Sequence, residues 1–196
     1  MSRYAGQADP YLMKGSDVLN NKLGLDSTDE LERAEARIVG VNALQAFPDG
    51  KLDRNHLLAH HKQLFADVYS WAGKTRTVGI SKGAYRFEAP ECIVSELDRI
   101  FKRLKAEQFL RGLALEAFCC RVAEFYSDLN VVHPFREGNG RTQRRFFEQL
   151  AMDAGYRLAW RRVPPTAMIE ASIRGWEQDL QPMQALFRAV SSPEPR

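Results

Sequence analysis

Apolar and polar positions along this chain alternate with a helical period almost throughout, interrupted by one short stretch of strand-like alternation. From residue 27 to about residue 47, Leu31, Ala34, Ile38 and Val41 recur on one face, which predicts a first helix. Ser27 stands three residues before Glu30, the spacing of a capping box, and Pro48-Asp49-Gly50 ends the pattern. A second helix is predicted over residues 54–70, with Leu57, Leu58, His61, Leu64, Phe65 and Val68 inward. On that face His61 reads as a hydrogen-bonded core histidine, whereas His56 and His60 read as surface. A third helix, residues 91–109, carries Ile93, Leu97, Ile100, Phe101 and Leu104, and a fourth, residues 113–130, carries Leu115, Phe118, Cys119, Val122, Phe125, Tyr126 and Leu129.

The interruption lies at residues 75–87, where Thr-Arg-Thr-Val-Gly-Ile-Ser, a Lys82-Gly83 turn and Ala-Tyr-Arg-Phe predict a small β-hairpin. Beyond residue 140, Phe146, Phe147, Leu150, Ala151 and Ala154 form another helical stripe that stops at Gly155, a good residue for a helix C-terminus. Residues 156–163 read as an extended return before Pro164-Pro165, followed by helices over residues 166–176 and 179–190. Residues 1–26 carry Gly, Asp-Pro and Asn-Asn without a sustained period, and read as an irregular arm with at most one helical turn at residues 17–21. Residues 191–196 read as a frayed tail. The expected fold is mainly α: one domain over residues 1–196, a bundle of about six to eight helices with one hairpin.

Composition narrows the function class only a little. A chain of 196 residues, 44% apolar and 27% charged, is that of a globular domain able to bury roughly 70% of its unfolded surface. Apolar runs are far shorter than the roughly 20 residues that span a bilayer, so no membrane partner is expected. The opening residues lack the apolar core of a signal peptide, and three cysteines, two of them adjacent, make a poor disulfide framework, which together predict the cytoplasm. A net charge of +3 from scattered residues gives no argument for direct nucleic-acid binding.

The chemistry is concentrated in residues 133–144, His-Pro-Phe-Arg-Glu-Gly-Asn-Gly-Arg-Thr-Gln-Arg, which run directly into the helix of Phe146 and Leu150. The first N–H groups of a helix have no internal acceptor and sit at the positive end of its dipole, so the glycine turn opens onto an anion site. Glycines flanking Asn139 let the backbone adopt positive φ and approach a ligand closely. Arg141 and Arg144 are electrostatically misplaced at a helix N-terminus unless an anion compensates them, and they offer charge-assisted bonds to a phosphate. Glu137 suits a hard Mg²⁺ bridging phosphate oxygens. His133, with an ordinary pKa of about 6.5, can take a proton near neutrality.

These twelve residues match H-x-F-x-[D/E]-G-N-G-R-x-x-R at every specified position, and the chain is identified as resembling the Fic family. With Asp9-Pro10-Tyr11 near its start, it looks most like the small bacterial Fic toxins held silent by a separate antitoxin. The resemblance implies a Fic fold and protein AMPylation, the transfer of AMP from ATP to a target hydroxyl with release of pyrophosphate. It implies that His133 is the base, that Phe135 anchors the loop and that Glu137 binds Mg²⁺. Gly138, Asn139, Gly140 and Arg141 would hold the α- and β-phosphates, and Arg144 the γ-phosphate. The hairpin would be the family's flap, placing Ile80, Ser81, Lys82 and Gly83 over nucleotide and target, while Met168, Ile169 and Trp176 would surround the adenine. The resemblance further implies type II topoisomerase ATPase subunits as targets. Inhibition would come from an antitoxin whose glutamate reaches Arg144, because the near-matches to the family's inhibitory motif, at residues 28–33 and 166–171, lack its final Gly or Asn. Within the fold, a kinase branch carries lysine where this chain has Gly140; phosphocholine transfer is not separated by the motif. A non-catalytic nucleotide-binding module would need neither His133 nor Glu137.

Overall fold

The computed structural model describes residues 9–194. Among them the chain forms α1 (Thr28–Asn42), α2 (Arg54–Phe65), the hairpin strands β1 (Ser81–Lys82) and β2 (Tyr85–Arg86), α3 (Ile93–Ala106), α4 (Leu115–Val132), α5 (Asn139–Asp153), β3 (Tyr156–Leu158), α6 (Pro165–Trp176), α7 (Gln181–Val190) and β4 (Ser191–Pro193). Seven helices and two small antiparallel strand pairs give the mainly α architecture that the periodicity predicts.

The core forms around α4, whose buried residues span most of its circumference because α3, α5, α6 and α7 all pack against it. On α3, by contrast, Ile93, Leu97, Ile100, Phe101 and Leu104 make one buried stripe, as predicted, and each contributes about 1.5–3 kcal/mol by leaving water. α7 adds Met183, Phe187 and Val190 at the same spacing. A second apolar cluster forms around Tyr11, Val18, Leu31, Phe65, Tyr69 and Trp71, so α2 lies between the two cores.

Several expectations change where polar side chains do the work of apolar ones. The buried face of α1 is Leu31, Glu35, Val39 and Asn42, while Val41 is 65% exposed and the helix ends at Asn42. Ser27 is the N-cap by position, but its side chain makes no cap bond, and Asp29 and Glu30 alone complement the helix dipole there. α2 stops at Phe65, and His56 and His60 are buried, not on the surface, because α5 and the segment before α2 cover them. His56 Nδ1 accepts the Leu52 N–H at 3.1 Å and its Nε2 donates to Pro48 O at 2.8 Å, so the ring organises the connection from α1.

The N-terminal arm is irregular but held down over its described part. Residues 1–8 lie outside the described residues. From Asp9 onward the chain makes a small loop closed by Leu12 and Leu19, with Ser16 Oγ accepting the Val18 N–H where a helical turn was expected. The tail is not frayed through residue 194: β4 pairs with β3, Leu158 opposite Ser191, and Arg157 bonds Glu194 at 2.7 Å. α7 delivers the tail beside the segment leaving α5, and the open edge of that segment is satisfied by it. The hairpin ladder is shorter than predicted, with Ser81 opposite Arg86 and Lys82 opposite Tyr85. Upstream, side chains replace the ladder: Tyr11 OH accepts the Thr77 N–H at 3.1 Å. Among the described residues no helix is long and apolar enough to cross a membrane.

Candidate active site

His133 closes α4 as its C-cap, in the left-handed region at φ 47° and ψ 63°, a conformation that costs a non-glycine residue about 1 kcal/mol. The turn throws the imidazole away from the helix axis. Nδ1–H donates to Asn130 O at 3.2 Å, and this leaves the Nε2 lone pair as the acceptor of the ring. The ring lies flat on Phe87, with centroids 3.8 Å apart and planes at 15°. Burial lowers its pKa to about 4, with Arg76 and Lys82 acting in the same direction against the Asn130 bond. At neutral pH it is therefore an uncharged base.

The loop after His133 is fixed by side chains that face inward. Asn139 accepts the Phe135 N–H at 2.8 Å and donates to Phe135 O at 2.7 Å, closing the loop on itself. Phe135 is buried and stacks on His61 at 3.8 Å, as an anchor would. His61 is the hydrogen-bonded core histidine that was expected. Its Nδ1 accepts the Gly73 N–H at 2.8 Å, its Nε2–H donates to Glu137 O at 3.1 Å, and burial lowers its pKa to about 3. Gly138 has φ 82°, and a Cβ there would lie 2.3 Å from Phe65 Cζ, so the glycine is demanded by packing as well as by backbone conformation.

A cavity of about 560 Å³ opens beside this loop, within the usual range for small-molecule sites. Of the residues singled out from the sequence, Ile80, Ser81, Lys82 and Gly83 line it from the hairpin, and Met168, Ile169 and Trp176 from α6. His133, Glu137, Asn139, Gly140 and Arg144 line it from the motif. Gly138 and Arg141 do not. Arg141 instead crosses the Phe65 ring at 4.9 Å and pairs with buried Glu35 on α1 at 2.5 Å and with Glu137 at 3.4 Å. Tyr69 donates its hydroxyl to the other Glu35 oxygen, and burial followed by this carboxylate pushes the phenol pKa well up.

The cavity also has walls that the sequence reading missed. Tyr85 and Phe87 line it from the hairpin, with Tyr126 and Asn130 of α4, Arg136 and Gln143 of the motif, and Ser172 and Ile173 of α6. Strand alternation carries part of that signal, since Tyr85 and Phe87 share a face, and Ile173 follows Ile169 by four residues. Tyr85 reaches across the cavity, its hydroxyl 3.1 Å from Glu177 Oε1 and its ring edge-on to Trp176. Arg136 pairs with Asp9 at 2.8 Å, so the N-terminal arm reaches the motif directly.

A loop closed by its own asparagine, an uncharged histidine at a left-handed turn and a helix N-terminus meet at one cavity, and comparison with known proteins places that combination. The family model described as Fic/DOC family matches residues 51–151. The chain belongs to the Fic/DOC family. It is 40% identical over 191 residues to "Probable protein adenylyltransferase y4lH" of Sinorhizobium fredii, covering 97% of this chain and 100% of that protein. It is 41% identical to "Protein adenylyltransferase VbhT" of Bartonella schoenbuchensis over 96% of its own length, but spans only 40% of that relative. The BepC protein of Bartonella tribocorum, solved with bound AMPPNP, superposes with a TM-score of 0.90 at 28% identity, over 94% of this chain and 97% of that one. The helices and hairpin are thus a Fic fold, and the chain is an enzyme of the adenylyltransferase class.

Proposed function

We propose that this Fic domain transfers AMP from MgATP to a hydroxyl side chain of a target protein. The observation that carries the reading is that His133, whose Nε2 is the ring's remaining acceptor, and the first turn of α5 line one cavity. In the step proposed, the target oxygen attacks the α-phosphorus and the bond from that phosphorus to the β-bridging oxygen breaks. Pyrophosphate leaves, and the hydroxyl proton goes to His133 Nε2. The Gly140 backbone and Arg144 face the cavity and would hold phosphate oxygens, Gly138 and Asn139 setting the turn that presents them. Arg141 is proposed to act from behind by bracing Glu137.

The residues fit a magnesium ion. Glu137 is a single carboxylate on the cavity, its side chain 45% exposed and its Oε1 oriented by the Gly138 N–H at 2.8 Å. Mg²⁺ is characteristically held by one or two carboxylates together with substrate phosphates, which that donor set allows, and it would neutralise charge on the phosphates when bound. Met168, Ile169 and Trp176 offer an apolar wall for the adenine, and the hairpin residues Ile80 to Gly83 a rim for the target.

The finer reading is a toxin that modifies ATPase subunits of DNA gyrase and topoisomerase IV in the cytoplasm, restrained in trans by a small antitoxin whose glutamate pairs with Arg144. Restraint in trans is supported by the exposure of Glu32 and Glu170, the carboxylates of the two incomplete inhibitory motifs, and the target and compartment rest on the family resemblance alone. The test is incubation with bacterial lysate and ATP labelled on either the α- or the γ-phosphate. Label on a protein from the α-phosphate alone is expected. Label from the γ-phosphate would make it a kinase, and α-label that spares both topoisomerases would end the target assignment while leaving the chemistry.

A further inference from the structure

The hairpin and the His133 turn are joined through one side chain that belongs to neither. Arg76 lies between α2 and β1 and is only 2% exposed. Its Nε donates to His133 O at 2.8 Å, Nη1 to Val78 O at 2.7 Å, and Nη2 to Glu88 O at 2.6 Å and Val132 O at 3.1 Å. Its backbone N–H donates to Pro134 O at 2.8 Å. Val132 and His133 carry carbonyls at the C-terminus of α4, where intrahelical donors run out and the dipole is negative. Val78 and Glu88 are the entry to and exit from the hairpin. A planar guanidinium can satisfy four carbonyls spread around it, whereas an ammonium is a point with three donors.

Two further contacts make this joint specific to the site. The Glu88 N–H reaches Val131 O at 3.3 Å, and Phe87, the residue before it, is the ring that stacks on His133. The orientation of the imidazole and the position of the hairpin over the cavity are therefore set at one place. We propose that Arg76 is a positioning residue for transfer: it holds the left-handed His133 turn and both ends of the hairpin in one register, so that base and docked target reach the nucleotide together. The proposal rests on the adenylyltransferase reading above.

The test compares wild type with Arg76→Lys and Arg76→Met in the full chain. Single-turnover transfer should fall by about 10–100-fold, since misplacement by about 1 Å has effects of that size, while ATP affinity measured by calorimetry stays within about threefold. Lysine should not rescue the rate, because it keeps the charge and loses the fork. Hydrogen exchange at the Phe87 and Glu88 amides should quicken in both variants. A folded Arg76→Lys that transfers at the wild-type rate overturns the proposal, as does a loss of rate with exchange at Phe87 and Glu88 unaltered. If both variants fail to fold, the Arg76 Nε–H of the wild type decides the matter by nuclear magnetic resonance. Slow exchange supports the clamp, and exchange as fast as that of an exposed arginine overturns it. A wild type that binds ATP and labels nothing would remove the adenylyltransferase reading by itself, and the amide exchange of the Arg76 variants would still decide whether the clamp ties His133 to the hairpin.

Discussion

Replacing Gly138 by alanine would put a methyl carbon 2.3 Å from Cζ and 2.5 Å from Cε2 of Phe65. The ring has little room to retreat. It is fully buried, stacked by His61 at 4.8 Å and Tyr69 at 6.3 Å, and crossed by the Arg141 guanidinium at 4.9 Å. Overpacking of this kind costs about 1–3 kcal/mol, and the left-handed φ of 82° adds about 1 kcal/mol for any residue with a Cβ, giving about 2–4 kcal/mol in all. Urea unfolding followed by circular dichroism measures it, in a cycle of wild type, Gly138→Ala, Phe65→Leu and the double variant. Shortening Phe65 removes the clash but not the backbone strain, so the double variant should be more stable than the sum of the single losses by about 1–3 kcal/mol. A Gly138→Ala protein within about 0.5 kcal/mol of wild type, or strict additivity in the cycle, would refute the account of why this glycine is a glycine.

Three other outcomes are expected. His60 and His61 have pKa values lowered to about 3 by burial, so below about pH 6.5 the unfolded chain takes up protons that the folded chain refuses; stability should be flat above that pH and fall by roughly 2 kcal/mol per histidine by pH 5, and a pH-independent unfolding midpoint between 7 and 5 would contradict it. Glu137→Gln should flatten the Mg²⁺ dependence of ATP binding measured by calorimetry, since an amide is a weaker ligand for a hard cation, and an unchanged Mg²⁺ response would remove Glu137 from the metal. Glu35→Gln weakens the partner that Arg141 and Tyr69 share and should cost about 1–3 kcal/mol in thermal unfolding, with a wild-type melting temperature as the contrary result.

What could be read from the sequence depended on whether a buried face is apolar. The stripes of α3 and α4 are Ile, Leu, Phe and Val, so their periodicity is visible directly. In α1 the inward face includes Glu35 and Asn42, whose burial rests on partners about 20 to 100 residues away in Leu64, Asp67, Tyr69 and Arg141. Pattern reading therefore chose the face of Val41, which the structure exposes. The same limit hid Arg76, a charge within strand-like alternation whose burial is explained only by carbonyls of α4 and the hairpin. The motif loop was legible because its chemistry is contiguous in the chain. The inward turn of Arg141 was not, since the direction of a helix residue is set by what packs beside it, here Phe65 and Glu35. Tyr126, Ser172 and Ile173 reach the cavity only through the packing of α4 and α6.

Under the proposed function, uncharged His133 takes the proton from the attacking hydroxyl. The most direct test of this step is single-turnover transfer by His133→Ala, with ATP affinity and unfolding midpoint measured on the same preparation. Loss of about 10²–10⁴ in rate, with affinity and fold retained, is the predicted result. A folded, ATP-binding His133→Ala protein that transfers AMP as fast as wild type would contradict it.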